Sequence, residues 1–237
     1  MVVGMQKAVI LVCLLMVCGS VVDARTAEDI LVGVQRQLDL VKRYKSHYVQ
    51  TTTSKSLPAL NAEERGILYK NGEAIRKEIQ SPQPKVILIT PELYYEKDLT
   101  TGEEKQSEPQ ADMQATMGQS PLKSMSPEDI LRQFKFTLEG EDKASYILNA
   151  THQGVAMRIW ISKVSDVLTR FQVMMNDQPI LTAGLQYKPV DGIAVLSQID
   201  ADIRMKLGTQ ALDVHQTTQY LFPELNPDLP DDLFHVP

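Results

Sequence analysis

Beyond the first two dozen residues the sequence has no cysteine: its two, Cys13 and Cys18, both precede Ala24. The remainder can build neither a disulfide framework nor a thiolate site. At about 210 residues it needs no staple, because a core of that size stabilises itself. Basic clusters are missing too. The formal net charge is −6, and Lys7 and Asp23 cancel, so the chain after Ala24 is equally acidic. That balance argues against nucleic acid as a partner. No apolar run approaches the roughly 20 residues a spanning helix requires. Composition is otherwise ordinary, 43% hydrophobic and 23% charged, which excludes a disordered or collagen-like polymer.

Catalytic signatures are also lacking. His47, His152, His215 and His235 lie far apart, with no His-Glu-x-x-His spacing for a metal. There is no Gly-x-Ser-x-Gly elbow and no phosphate-cradling glycine loop. Acid pairs such as Asp200 and Asp202 fall on the wet side of an alternating run. The expectation is a protein that is not an enzyme and carries no metal or cofactor.

What is present starts with an export signal. Lys7 precedes an apolar run over residues 8–17, followed by Gly19, Ser20 and Val22-Asp23-Ala24. Such a charged, apolar and small-residue succession predicts cleavage after Ala24, leaving Arg25 first. A retained anchor would need a longer run. A lipid anchor on Cys18 would want a small residue before it, where Val17 stands. The expected organisation is a signal over 1–24 and a single domain over 25–237.

Thr26 with Asp29 forms an approximate capping box, and Ile30, Leu31, Val34, Leu38 and Val41 recur at helical spacing, predicting an amphipathic helix to about Arg43. Short β-like runs follow about every ten residues, as in antiparallel meanders. Asn71-Gly72 and Thr101-Gly102 supply turns. Residues 103–125 read as a long loop with Met113, Met117 and Met125, thioethers suited to adaptable apolar contact. Ser126-Pro127-Glu128-Asp129 predicts a short helix to about Phe134.

Alternation is clearest afterwards. Val155, Met157, Ile159 and Ile161 share one side, as do Phe171 with Val173, and Leu181, Ala183 and Leu185. Val195, Ile199, Ala201 and Ile203 continue the dry row, with Gln198, Asp200, Asp202 and Arg204 opposite. Trp160 falls on the side of Arg158. About ten strands face one way with only two helices to cover them, so the sheet must curl or be covered. The expected class is α+β, mainly antiparallel β: a curved, unclosed barrel with a helical lid. Its dry rows, with Leu31, Val34, Leu38 and Val41 of the helix, are candidates to line an apolar ligand cavity. A sheet curled tightly enough to fill its own middle fits the pattern equally.

Residues 30–104 resemble the periplasmic lipoprotein carriers of the LolA type. An amphipathic helix runs directly into Tyr48-Val49-Gln50-Thr51, similar to that family's first strand. Gly66-Ile67-Leu68-Tyr69-Lys70, Ile79-Gln80-Ser81-Pro82 and Leu93-Tyr94-Tyr95-Glu96 follow in the family's order. Asn226-Pro227-Asp228-Leu229-Pro230-Asp231-Asp232-Leu233-Phe234 is similar to its closing phrase. The resemblance implies a periplasmic carrier of lipid or lipoprotein acyl chains, served by an inner-membrane releasing complex and an outer-membrane receptor. It also admits an envelope sensor or structural protein with protein partners. One departure stands out: where the carriers have an Arg-Pro tied to lid closure, this chain reads Lys70-Asn71-Gly72.

Overall fold

The computed structural model describes residues 25–108, 135–152, 155–176, 178–207 and 210–236. The expected cleavage site at Ala24, Cys18, the loop methionines and the helix over 126–134 lie outside the described residues.

Helix α1 (Ala27–Asp39) starts as its sequence predicts. Thr26 Oγ1 accepts from the Asp29 N–H at 3.2 Å, and Asp29 Oδ2 accepts from the Thr26 N–H at 3.0 Å. The hydroxyl and N–H of Thr26 hold the Asp29 carboxyl below its ordinary range. The helix ends earlier than periodicity suggests, at Asp39 with Leu40 as its C-cap rather than at Arg43. The cause lies far along the chain. Asn226 Oδ1 accepts from the N–H groups of Lys42 and Arg43 at 3.0 and 3.1 Å, and Asn226 Nδ2 donates to the Leu40 carbonyl at 3.1 Å. Those donors and that carbonyl are satisfied outside a helix, and Arg43 opens the first strand.

The strands of the described residues belong to one antiparallel sheet of thirteen, more than the ten or so expected. The first arm is β1 (Arg43–Ser54), β2 (Ala62–Asn71), β3 (Ala74–Ser81), β4 (Lys85–Ile89), β5 (Tyr94–Asp98) and β6 (Glu104–Ser107). The second is β7 (Lys135–Glu141), β8 (Ser145–His152), β9 (Val155–Ser162), β10 (Leu168–Met175), β11 (Gln178–Val190), β12 (Ile193–Leu207) and β13 (Gln210–Leu225). Each arm is a meander, and β13 pairs with β1 to join them, leaving β6 and β7 as the outer edges. Strand β6 occupies part of the predicted loop. Its Glu-Lys-Gln-Ser sequence has no apolar alternation, as suits a short charged edge.

Directly paired residues share a face, so register carries one face across the whole sheet. Leu181, Ala183 and Leu185 stand opposite Ile203, Ala201 and Ile199. Ile199 and Ile203 stand opposite Thr218 and Val214, and those in turn opposite Gln50 and Ser54 of β1. On the second arm this face is the core. Ile30 and Val34 of α1 pack with Leu148, Ile159, Leu181 and Ala201, and Ala27, Leu31 and Leu38 flank them. The opposite face of β11–β13 is polar as expected: Asp200 accepts from Thr217, Gln186 and Gln198, and His215 Nδ1 lies 3.0 Å from Asp202.

Candidate functional site

Most side chains predicted to line a cavity meet under α1. Val34, Met157, Ile159, Ile161, Phe171, Leu181, Ala183, Leu185, Ala201 and Ile203 are all buried, none more than 8% exposed. Leu31, Leu38, Val173 and Ile199 are partly buried against the same cluster. Side chain therefore fills the space between α1 and these strands, with Ile30 fully buried at its centre.

Three predicted residues fall elsewhere. Val41 lies beyond the helix that was to present it. The side chain of Val155 lies outside the described residues. Val195 is displaced by a bulge: the β11–β12 register shifts between Gln186 and Tyr187, so Leu196 joins Tyr187 in the core while Val195 pairs with Lys188 on the alternate row. An extra residue in one strand reverses every side chain beyond it. Tyr187 itself was not foreseen. Its buried hydroxyl donates to the Leu168 carbonyl at 2.8 Å, and burial pushes the phenol's pKa up.

Among the described residues, light polar ties fasten α1 beyond that apolar contact. Arg25 pairs with Asp166 at 2.7 Å, both side chains partly solvent-exposed. Its guanidinium and the Lys163 ammonium lie 5.8 and 5.3 Å from the Tyr146 ring centre. Asp166 sits in the loop before β10 with φ +50°, against Gly33 of the helix. An exposed ion pair of this kind contributes up to about 1 kcal/mol.

The same face continues onto the first arm in another style. Tyr48 is buried, its hydroxyl donates to Glu64 at 3.0 Å, and the Lys77 ammonium lies 4.7 Å from its ring centre and pairs with Glu64. Burial, then the Glu64 charge, pushes the Tyr48 phenol's pKa well up. Gly66 stands opposite Tyr48 because nothing larger fits: a β-carbon there would run into the Glu78 carbonyl oxygen. Beyond this pair the face mixes half-buried aliphatics (Leu68, Ile75, Ile87, Ile89) with Lys85 and Glu96, which pair at 2.9 Å. Polar residues break the dry rows here, so sequence alternation did not reveal them as part of the same face.

A groove of about 520 Å³ at the β3–β4 turn draws on both faces, lined by Arg76, Glu78, Val86 and Lys97 of the alternate face, by Ile79 and Lys85 of the helix-side face, and by Pro84 and Leu99. Its cations are matched, Arg76 with Glu78 and Lys97 with Glu104, at 2.8 and 2.7 Å. Arg76 also donates to the carbonyl of Leu233, in the short 3-10 turn near the C-terminus (Asp231–Phe234). Trp160 is half-buried with the Arg170 guanidinium 4.8 Å from its ring centre. Among the described residues no group of three or more His, Cys, Asp or Glu is placed to hold a metal ion.

No family model matches the sequence, and no curated protein matches it. Among solved structures, a LolA superfamily protein from Nitrosomonas europaea aligns with a TM-score of 0.65 at 14% identity, over 90% of this chain and 99% of that one. An uncharacterized conserved protein from Thermus thermophilus gives 0.41 at 14% identity, over 89% and 94%. The MucA/MucB complex of Pseudomonas aeruginosa gives 0.29 at 8% identity, over 84% and 99%. The first of these similarities, at a TM-score of 0.65, gives the chain a LolA-like fold, which here is an unclosed antiparallel sheet of thirteen strands with a helix across one face.

Proposed function

We propose that this chain is an exported, non-enzymatic binding protein of a Gram-negative type envelope. It takes the acyl chains of a lipoprotein or another lipid between α1 and the sheet and moves them toward the outer membrane. The supporting observation is the way α1 is mounted. Its apolar side covers the driest rows of the sheet. Beyond that contact it is held, among the described residues, by the partly exposed Arg25–Asp166 pair and by the Asn226 joint at its far end. Lifting the helix about that joint exposes Met157, Ile159, Leu181, Ala183 and Ala201 together, a continuous surface for hydrocarbon. Leu31, Val34 and Leu38 then face the ligand from above, while the residues under the helix form its floor. Docking to a releasing complex at the inner membrane and a receptor at the outer membrane belongs to the same reading, as does a signal over 1–24 ahead of a single domain.

A disulfide trap tests it cleanly, because the chain after Ala24 has no cysteine of its own. A β-carbon on Gly33 would lie 3.2 Å from Asp166 Cβ, close to the roughly 3.5–4.5 Å a disulfide spans. In the double variant Gly33→Cys with Asp166→Cys, the oxidised protein should bind no fluorescent fatty acid, and the reduced protein should bind it saturably. Equal binding in both states would remove α1 from the role of cover.

A second reading is favoured by the close filling under α1, where Ile30, Leu148 and Ala183 are each 0% exposed. If that packing is permanent, the protein is an envelope sensor or structural protein with protein partners, and no acyl probe binds either state.

A further inference from the structure

At Asn226 the chain leaves one face of the sheet for the other. The residue before it, Leu225, stands opposite Tyr44 on the helix-side face. The segment after it runs to the alternate face, where Arg76 donates to the Leu233 carbonyl at 3.0 Å. Asn226 makes the change in the left-handed region, φ +47°, directly before Pro227. Asparagine visits that region more readily than most residues, but a following proline pushes it toward extended backbone. The turned conformation has to be held.

It is held from both sides. The Asn226 side chain grips the end of α1, through the N–H groups of Lys42 and Arg43 and the carbonyl of Leu40. Beyond it, Asp228 lies 3.5 Å from the Arg43 guanidinium, and the 3-10 turn rests against β3 at Arg76. Were Asn226 extended, strand alternation would carry its side chain to the alternate face, away from α1. The grip on the helix therefore depends on the course of the tail, and that course depends on the grip. Tilting α1 moves Leu40 relative to Lys42 and Arg43, which the first strand fixes, so the side chain cannot keep all of its bonds.

Building on the reading of α1 as a liftable cover, we propose that residues 226–236 are a strap coupled to it. Seated on the alternate face, the strap holds the C-terminal end of α1; when α1 lifts, Asn226 relaxes and the strap comes loose. Such coupling is reciprocal: what frees the helix frees the strap, and what takes hold of the strap frees the helix. A ligand under α1 is thereby announced on the face that it does not touch.

Residue-resolved amide exchange of the full exported chain reads both ends without any ligand. The His235 amide, bonded to the Asp232 carbonyl, reports the strap, and the Leu40 and Val41 amides, bonded to Gln37 and Leu38, report the end of α1. Arg76→Met removes the donor to Leu233 and should quicken exchange about fivefold at His235 and also at Leu40 and Val41. Leu233→Ala, which spares the Arg76–Glu78 pair, should do the same. Combined with Asn226→Ala, either change should still quicken His235 but add nothing at Leu40 and Val41, a non-additivity that independent structural effects do not produce. Strap variants that leave Leu40 and Val41 at the parent rate, or effects that simply add, overturn the coupling. So does a fluorescent fatty acid that binds saturably without altering exchange at His235. If no fatty acid binds while the ligand-free coupling holds, the acyl-binding reading falls and the strap stands.

Discussion

Gly33 and Asp166 meet so closely that a β-carbon on the glycine would lie 2.8 Å from the aspartate's Cγ. The glycine in the middle of α1 thus gives the neighbouring loop room to seat its carboxylate, and that carboxylate is the one Arg25 holds. Alanine at this position has two opposed effects. It gains about 1 kcal/mol of helix propensity, and it pushes Asp166 away from its ion pair. Gly33→Ala should therefore change global stability by less than about 1 kcal/mol. Amide exchange in the first turn of α1 should nevertheless quicken. A large loss of Tm, or unchanged exchange, would show that the contact does not hold the helix end.

The seating of α1 depends on depth of burial rather than on hydrophobicity alone. Ile30 is fully buried, whereas Val41 lies outside the helix and its core cluster. Ile30→Ala should cost about 2–4 kcal/mol, as large-to-small changes in filled cores do, and Val41→Ala less than about 1 kcal/mol. Urea unfolding of both variants gives the comparison directly.

Ala183 and Ala201 stand opposite each other on β11 and β12, both 0% exposed. Phenylalanine at either site has no room and should destabilise the closed form by roughly 1–3 kcal/mol. It should also reduce binding of a fluorescent fatty acid about tenfold, since each lost methylene contact is worth about 0.8 kcal/mol. Asp200→Asn, on the polar face, should leave binding near the parent value. Equal effects on both faces would contradict the register.

Asp98 caps the turn between β5 and β6, accepting from the Thr100 and Thr101 N–H groups at 2.8 and 3.0 Å and from Gln83. Chiefly the Thr101 N–H holds its carboxyl below the ordinary 3.8. A carboxyl whose folded pKa is depressed stabilises above its unfolded value and loses that contribution as pH falls through the folded one. Stability should therefore fall below about pH 3.8 on this account. Asp98→Asn should flatten that part of the pH–Tm profile. A variant with the parent's acid slope would exclude Asp98 as its source.

Local patterns were legible where the causes are local. Thr26 and Asp29 announce the start of α1, and strict alternation on β9 and β11 gives the dry rows under it. The end of α1 was not legible, because Asn226, 183 residues beyond Arg43, decides it. The bulge that moves Val195 off its row leaves no mark, since Leu196 is as apolar as its neighbour. Strand β13 hides for another reason. Central in the sheet, it turns Gln216 and Thr218 to the helix-side face, where hydrogen bonds to Thr52 and Gln50 replace apolar contact. The continuation of the helix-side face onto the first arm is obscured likewise, because its hydroxyls and paired lysines read as ordinary surface until register aligns them.

The neighbouring of β1 and β13 also sets when the molecule can become whole. Ser46 donates to the carbonyl of Leu221, 175 residues away, and among the described residues the two arms share no other strand-to-strand seam. Hairpins within each arm can zip as soon as their residues are available, but this seam closes a loop of nearly the full length, which makes it slow and late. A nascent or translocating chain therefore holds two half-sheets with a bare edge on β1 until its final strand emerges. Under the exported reading proposed above, that order of events would keep the sheet incomplete during passage and complete it only on the far side.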